Sequence, residues 1–311
     1  MLSVILLSYF SGERISLVYN KLTELLGANN IPFELIIVDD GSEDNSFRIA
    51  LELEKGNTNV RAFQLSRNYT SHYAVFAGLS VCKGDCAMPI PDDEQQPYET
   101  IVEMYRLWEK GQKVIIPNRI SRDDGFFRAV ATNFFYKILS WLSDIKYPYG
   151  GADSFLIDRE LIDILDKINP TNISIVSELL NLGYNPYFFP YARVKSNIKK
   201  SRWTSKKKRK LLNDMIYPTS LFPIKVIKYI GLSLIIISLL SVFSFSINVI
   251  DKLEVFYSIK SSFWSPFTSF FAFFSGLILF ALGVIGEYIW RILCEVKNRP
   301  GYIIKKKENE N

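Results

Sequence analysis

The chain has 311 residues, 48% of them apolar and 22% charged, which excludes a disordered polymer and leaves room for one large globular domain with a smaller appendage. The net charge is only +5, and the lone histidine, His72, excludes mechanisms built on a histidine triad or a histidine metal cage. Cys82, Cys86 and Cys294 form neither a zinc spacing nor a disulfide framework, as a reducing compartment would have it.

Residues 2–9 are apolar but lack a basic leader and a small-residue cleavage site, and they are too short for an anchor. They read as a buried first strand centred on residues 4–7, with no signal peptide expected. A helical pattern follows through Ile15, Val18, Leu22 and Leu25. Further strands are expected at residues 33–38, 60–65, 86–90 and 113–117, with helices between them. This alternation predicts an α/β fold: a mostly parallel sheet with helices on both faces, whose ligands collect beyond the carboxyl ends of the strands. No internal repeat interrupts it.

The last third changes character. Residues 229–250 and 261–286 are uncharged apolar stretches of 22 and 26 residues, each enough to cross a hydrocarbon core about 30 Å thick. Lys225 and Lys228 precede the first; Arg291, Lys297 and Arg299 follow the second; the loop 251–260 between them is short and charge-balanced. The positive-inside tendency then puts both flanks in the cytosol. The expected organisation is a cytosolic domain over 1–210, a juxtamembrane segment over 211–228, spans at 229–250 and 261–290, an external loop at 251–260, and a basic cytosolic tail over 291–311. The basic run 195–210 suits a membrane surface better than nucleic acid, with a solvated basic loop as the plain alternative. Residues 217–228, with Pro218 and Pro223, read either as an interfacial segment or as a simple linker.

Polar residues cluster at the predicted strand ends. The second strand runs into Asp39-Asp40-Gly41-Ser42, which can be a ribose- or base-binding carboxylate or an ordinary aspartate-glycine turn. The fourth runs into Pro91-Asp92-Asp93-Glu94-Gln95, where three consecutive acids without a nearby base favour a bound cation. Hard carboxylate oxygens suit Mg²⁺ or Mn²⁺. The alternative is an acidic helix N-terminus, which accounts for Glu94 and Glu99 better than for Asp92 and Asp93. Arg67, Arg119 and Arg122 have two readings, phosphate grips or surface salt bridges.

Taken in order, these residues resemble glycosyltransferase family 2, and within it the branch of dolichol-phosphate mannose synthases and bacterial bactoprenol (undecaprenyl-phosphate) glucosyltransferases. The resemblance is carried by Tyr9, Asp39-Asp40-Gly41-Ser42, Arg67-Asn68, Ala77-Gly78-Leu79, Gly84-Asp85, and Asp93 with Gln95, Pro97 and Glu99. Arg119 with Arg122, Gly151-Ala152-Asp153 with Phe155, Asp158-Arg159, and Gly283 through Tyr288 continue it, and Glu295 through Pro300 closes it. The family's Asp-any-Asp motif becomes Pro91-Asp92-Asp93, retaining only its second aspartate. Leu7-Ser8-Tyr9-Phe10-Ser11 replaces the usual proline, tyrosine, asparagine and glutamate pattern.

The resemblance implies a GT-A-type fold and transfer of a sugar from a UDP- or GDP-sugar to a polyprenyl phosphate, at the cytosolic face of a bacterial cytoplasmic (inner) membrane. It implies that Tyr9, Asp40, Arg67 and Gln95 bind the nucleotide sugar and that Asp93 holds Mg²⁺ or Mn²⁺. Asp92, Asp93, Arg119 and Arg122 would act in catalysis, and Lys200 and Arg202 would draw the lipid phosphate to the site. A hydroxyl of a lipid-linked oligosaccharide as acceptor, a membrane scaffold without turnover, and a transporter stand as rival readings. Gly276, Gly283 and Gly286 raise homo-oligomer formation through the spans as an alternative to ordinary span glycines.

Overall fold

Strand follows amphipathic helix along the first half of the chain and builds a seven-stranded sheet of order β3-β2-β1-β4-β6-β5-β7. In the computed structural model, the described residues are 1–93, 95–121, 154–168, 170, 174–192, 264–296 and 301–305, with 137, 229 and 233 singly. They fall in two units, Met1–Thr219 with Asn298–Asn311, and Ser220–Lys297.

In the first unit β1 (Leu2–Ser8) is central and pairs in parallel with β2 (Phe33–Asp39) and β4 (Cys86–Pro91). β3 (Val60–Gln64) extends the parallel run beside β2, and β5 (Val114–Ser121) is parallel to β7 (Tyr187–Ala192). The short β6 (Leu156–Asp158) lies antiparallel between β4 and β5. The expected mostly parallel sheet is therefore present, with β6 and β7 added to the five strands expected from periodicity.

Helices cover both faces, because runs such as Ile5, Ile36 and Val38 face one side while Val4, Leu35 and Ile37 face the other. α1 (Arg14–Ala28), α2 (Ser46–Gly56) and α4 (Glu99–Glu109) have apolar stripes of helical period. On α1 the buried stripe is Ile15, Val18, Leu22 and Leu26, so Leu26 rather than the expected Leu25 ends it. α3 (Ser71–Val81) is buried along most of its length, and Gly78 lets it approach β1: a Cβ there would lie 2.3 Å from Ile5 Cγ2. Short helices α5 (Arg159–Leu165) and α6 (Ile175–Asn181) complete the layer. Cys82 and Cys86 are buried free thiols, and burial pushes the pKa of both up, which makes them inert packing residues.

The second unit contributes α7, the 33-residue helix Trp264–Val296. Its described C-terminal half exposes Ile278, Leu282, Ile285, Ile289 and Trp290. The side chains of residues 264–273 lie outside the described set, and among the described residues no helix is long and apolar enough to cross a membrane. Of the expected spans, α7 coincides with most of 261–290, whereas 229–250 lies outside the described residues apart from 229 and 233.

Candidate active site

The Asp39-Asp40-Gly41-Ser42 turn at the end of β2 is tied to both neighbouring loops. Asp39 is fully buried and its carboxylate is saturated: Oδ2 accepts from Ser42 N–H at 2.9 Å and from Gln64 Nε2 at 3.0 Å, and Oδ1 accepts from Ser42 Oγ at 2.5 Å. Ser42 Oγ in turn accepts from Phe10 N–H at 3.0 Å, fixing the loop after β1. Asp40 reaches the other way: Oδ1 accepts from Tyr69 N–H at 2.7 Å and Oδ2 from Thr70 N–H at 2.9 Å. Gly41 has φ of +71°, and a Cβ there would stand 2.5 Å from the carbonyl carbon of Arg67. Only glycine lets the two loops pass this closely.

Both loops carry strained residues. Phe10 has φ of 50° and is 44% exposed, and Thr70 has φ of 94° with ψ of 158°, a region that β-branched residues essentially avoid. Backbone strain persists where the surroundings over-determine it, and here the acceptors are Ser42 Oγ and Asp40 Oδ2. Tyr9 packs edge-on against Phe10, with ring centroids 4.6 Å apart. Arg67 is exposed and stacks its guanidinium over Tyr69 at 4.7 Å, which keeps its planar fork pre-set above the turn. The Tyr69 phenol is shifted below its usual range, chiefly by its contact with the Ser66 hydroxyl, against the opposing effect of burial.

The acidic turn after β4 separates its two aspartates. Asp92 is buried, and its Oδ2 accepts from Ser11 Oγ at 2.7 Å and from Arg14 Nε and Nη2 at 3.0 and 2.6 Å. Arg14 also donates from Nη2 to the Phe10 carbonyl at 2.7 Å, so one guanidinium clamps the β1 loop to the acidic turn. Asp93 is half-buried, with Oδ1 accepting from Gln95 N–H at 3.2 Å. Gln95 Oε1 is a buried acceptor without a hydrogen-bond partner. A carboxylate and an orphaned amide oxygen two residues apart are hard-oxygen donors of the kind that suits Mg²⁺ or Mn²⁺. Among the described residues no three acidic, histidine or cysteine side chains gather into a protein-only cage.

Tyr9, Asp40, Arg67, Asp92, Asp93 and Gln95 thus lie on the loops that leave β1, β2, β3 and β4, at the carboxyl ends of four adjacent parallel strands. Arg119 is on β5, where its backbone pairs with Tyr191, and its side chain is outside the described set. Arg122, Lys200, Arg202 and the segment 151–153 lie outside the described residues. His72 packs edge-on to Tyr73 and Phe76 in the first turn of α3. Ser11, Arg14, Ser46 and Gln64 were not expected in the site, whereas Ser42 closes the Asp39-Asp40-Gly41-Ser42 turn read from the sequence. Ser46 Oγ accepts from both Ser11 and Gly12 N–H at 2.9 Å. Arg14 carried a readable signal, since a cation in the first turn of a helix opposes the macrodipole unless a carboxylate holds it there.

The chain is similar to known proteins along most of its length. The family model described as glycosyl transferase family 2 matches residues 3–165. The chain is 31% identical over 289 residues to the uncharacterized glycosyltransferase YkcC of Bacillus subtilis (strain 168), covering 93% of this chain and 88% of the relative. It is 30% identical over 311 residues to the SfII prophage-derived bactoprenol glucosyl transferase of Shigella flexneri, covering 100% and 99%. Among solved structures, mannosyl-3-phosphoglycerate synthase from Rubrobacter xylanophilus superimposes with a TM-score of 0.48 at 17% identity, over 70% of this chain and 71% of that one. The chain belongs to glycosyl transferase family 2 and is a glycosyltransferase.

Proposed function

We propose that this enzyme transfers a sugar from a UDP- or GDP-sugar to a polyprenyl phosphate at the cytosolic face of a bacterial cytoplasmic membrane, serving cell-surface polysaccharide synthesis. The observation that carries the acceptor is the extent of the similarity to the bactoprenol glucosyl transferase, which runs through the apolar C-terminal third as well as the catalytic unit. A lipid acceptor accounts for both regions in one chain.

The loops after β1 to β3 receive the nucleotide. Arg67, stacked and exposed, meets the diphosphate, while Tyr9 and the Asp40 turn line the base and ribose side. Asp93 and the Gln95 side-chain oxygen would hold a divalent ion, Mg²⁺ or Mn²⁺. Bound there, it would supply positive charge to offset that of the diphosphate. From the sequence pattern, Arg119 and Arg122 are assigned to the leaving group, and Lys200 and Arg202 to the lipid phosphate. The attacking phosphate oxygen is already ionised at neutral pH, so the site works by positioning and needs no strong general base.

The membrane part of the reading rests on the two uncharged stretches and on α7, whose residues 264–286 carry no charge. Residues 301–305, beyond α7, belong to the catalytic unit, which supports a hairpin of two spans with both ends on the cytosolic side.

The test is transfer of radiolabelled sugar from a panel of UDP- and GDP-sugars to undecaprenyl phosphate by purified protein with Mn²⁺ or Mg²⁺. An acid-labile lipid product that disappears in Asp93→Asn is expected. A folded, nucleotide-binding protein that labels no lipid with any donor would sink the polyprenyl-phosphate acceptor.

A further inference from the structure

β3 is the edge of the sheet, and a short piece of the C-terminus covers it. Ile304 bridges antiparallel to Leu65; Ser66 N–H donates to the Ile303 carbonyl at 2.8 Å, and Lys305 N–H donates to the Gln64 carbonyl at 2.8 Å. Tyr302 packs against α3 and donates its hydroxyl to the Phe76 carbonyl at 3.4 Å. Gly301 presses so close to α3 that a Cβ would lie 3.0 Å from Tyr73 Cε1.

This tail acts on the donor turn through one side chain. Lys305 Nζ donates to Gln64 Oε1 at 3.2 Å, while Gln64 Nε2 donates inward to Asp39 Oδ2 at 3.0 Å and to the Ser42 carbonyl at 3.3 Å. An ammonium only donates and a carboxylate only accepts, so the two together permit a single orientation of the Gln64 amide. Reversed, the amide would set its oxygen against the Asp39 carboxylate. Asp39 in turn fixes Ser42, and Ser42 fixes the Phe10 loop. The Ser66–Ile303 hydrogen bond anchors the start of the loop that carries Arg67.

We propose that the C-terminal tail is a positioning element of the donor site, with Lys305 acting through Gln64 and Asp39 to hold the nucleotide-binding loops in register. The inference rests on the donor-site reading given above. Coverage of a sheet edge alone would give the tail a stabilising role. The Lys305–Gln64–Asp39 relay adds an effect on nucleotide affinity that edge coverage does not produce.

The experiment uses the full chain in detergent micelles and titrates UDP and GDP by calorimetry, with thermal unfolding followed in parallel. Lys305→Met is expected to raise the Kd of whichever nucleotide the intact protein binds by about tenfold, the equivalent of one hydrogen bond, and to shift Tm by less than about 2 °C. Lys305→Arg, which keeps a donor cation, is expected to restore most of the affinity. Truncation after Arg299 should cost more affinity than Lys305→Met, and where the truncated chain fails to fold, the point variants decide. Unchanged nucleotide affinity in Lys305→Met, or equal losses in the Met and Arg variants that track Tm, would overturn the inference while leaving the donor site standing. If the intact protein binds neither UDP nor GDP, the donor-site reading falls and this inference falls with it.

Discussion

The Asp40 carboxylate accepts the Thr70 main-chain N–H at 2.9 Å, and Thr70 is the residue in the loop after β3 whose backbone least suits its side chain. A β-branched residue at φ of 94° costs about 1–3 kcal/mol, and glycine there would lose about 1 kcal/mol of that gain through chain entropy. Thr70→Gly is therefore expected to stabilise the protein by about 1 kcal/mol in denaturant unfolding. Asp40→Asn replaces one of two acceptors by a donor facing an N–H, and is expected to cost about 1–3 kcal/mol and weaken nucleotide binding.

Removing the Arg14 guanidinium takes two charge-assisted hydrogen bonds from the buried Asp92 carboxylate, which also accepts from Ser11 Oγ. Arg14→Met should destabilise by about 2 kcal/mol, because a hydrogen bond to a charged group is lost in a partly buried setting. It should also lower transfer activity, since the Phe10 loop loses its clamp. Restored activity in Arg14→Lys above that in Arg14→Met would separate the charge from the packing, and the measurement is kcat and KM for the donor in each variant.

Gly41 is the tightest point between the turn and the Arg67 backbone. Gly41→Ala combines a positive φ of +71° with a 2.5 Å approach to backbone atoms that no rotamer can relieve. The expected loss is about 2 kcal/mol or more in stability, with nucleotide binding abolished even where the fold survives, as read by calorimetry on the folded fraction.

At the opposite end of the sheet, Glu34 accepts from Ser3 Oγ at 2.6 Å, Arg61 Nη2 at 2.7 Å and Lys83 N–H at 2.5 Å. Burial raises its pKa, but these hydrogen bonds and the Arg61 charge outweigh it, so the net shift is downward from the ordinary value of 4.5. A carboxylate with a depressed folded pKa contributes stability that is present above 4.5 and is lost as the pH falls through the lowered value. Wild type should thus lose stability below about pH 4.5, whereas Glu34→Gln should show a flatter acid limb in thermal unfolding.

Chelation of divalent ions should abolish sugar transfer and leave Tm within about 2 °C, because the described donor set is a single turn and holds no part of the core together. Added Mn²⁺ or Mg²⁺ should restore activity. An unchanged rate in excess EDTA would remove Asp93 from the metal role.

The strands were legible because each is a short apolar run ending in turn residues, and β1 to β5 appear within a few residues of where periodicity puts them. β6 was not legible: three residues, Leu156–Asp158, carry no period of their own and become a strand only because β4 and β5 flank them. The candidate acidic and basic residues stand out by their charge at strand ends. Ser46 and Gln64, which help to hold the turns in place, are uncharged, and their roles depend on contacts spanning 22 to 35 positions in sequence. Such contacts leave no local pattern to read.

That short β6 also determines where the sheet is weakest. β6 meets β4 only at Cys86–Asp158 and Ala87–Ile157, and β5 only at Val114–Ile157 and Ile115–Leu156, whereas β1 and β2 are paired from Leu2–Phe33 through Ser8–Asp39. The sheet is in effect two plates joined by a narrow seam. One carries the donor loops and Asp93; the other carries β5 with Arg119, and β7. Local opening follows the fewest backbone pairs, so amide exchange should reach Val114 and Ile157 before it reaches Ile5 or Ile36. Parting at that seam would separate β5 and β7 from the strands that carry Asp40, Arg67 and Asp93, while those strands stay paired with one another.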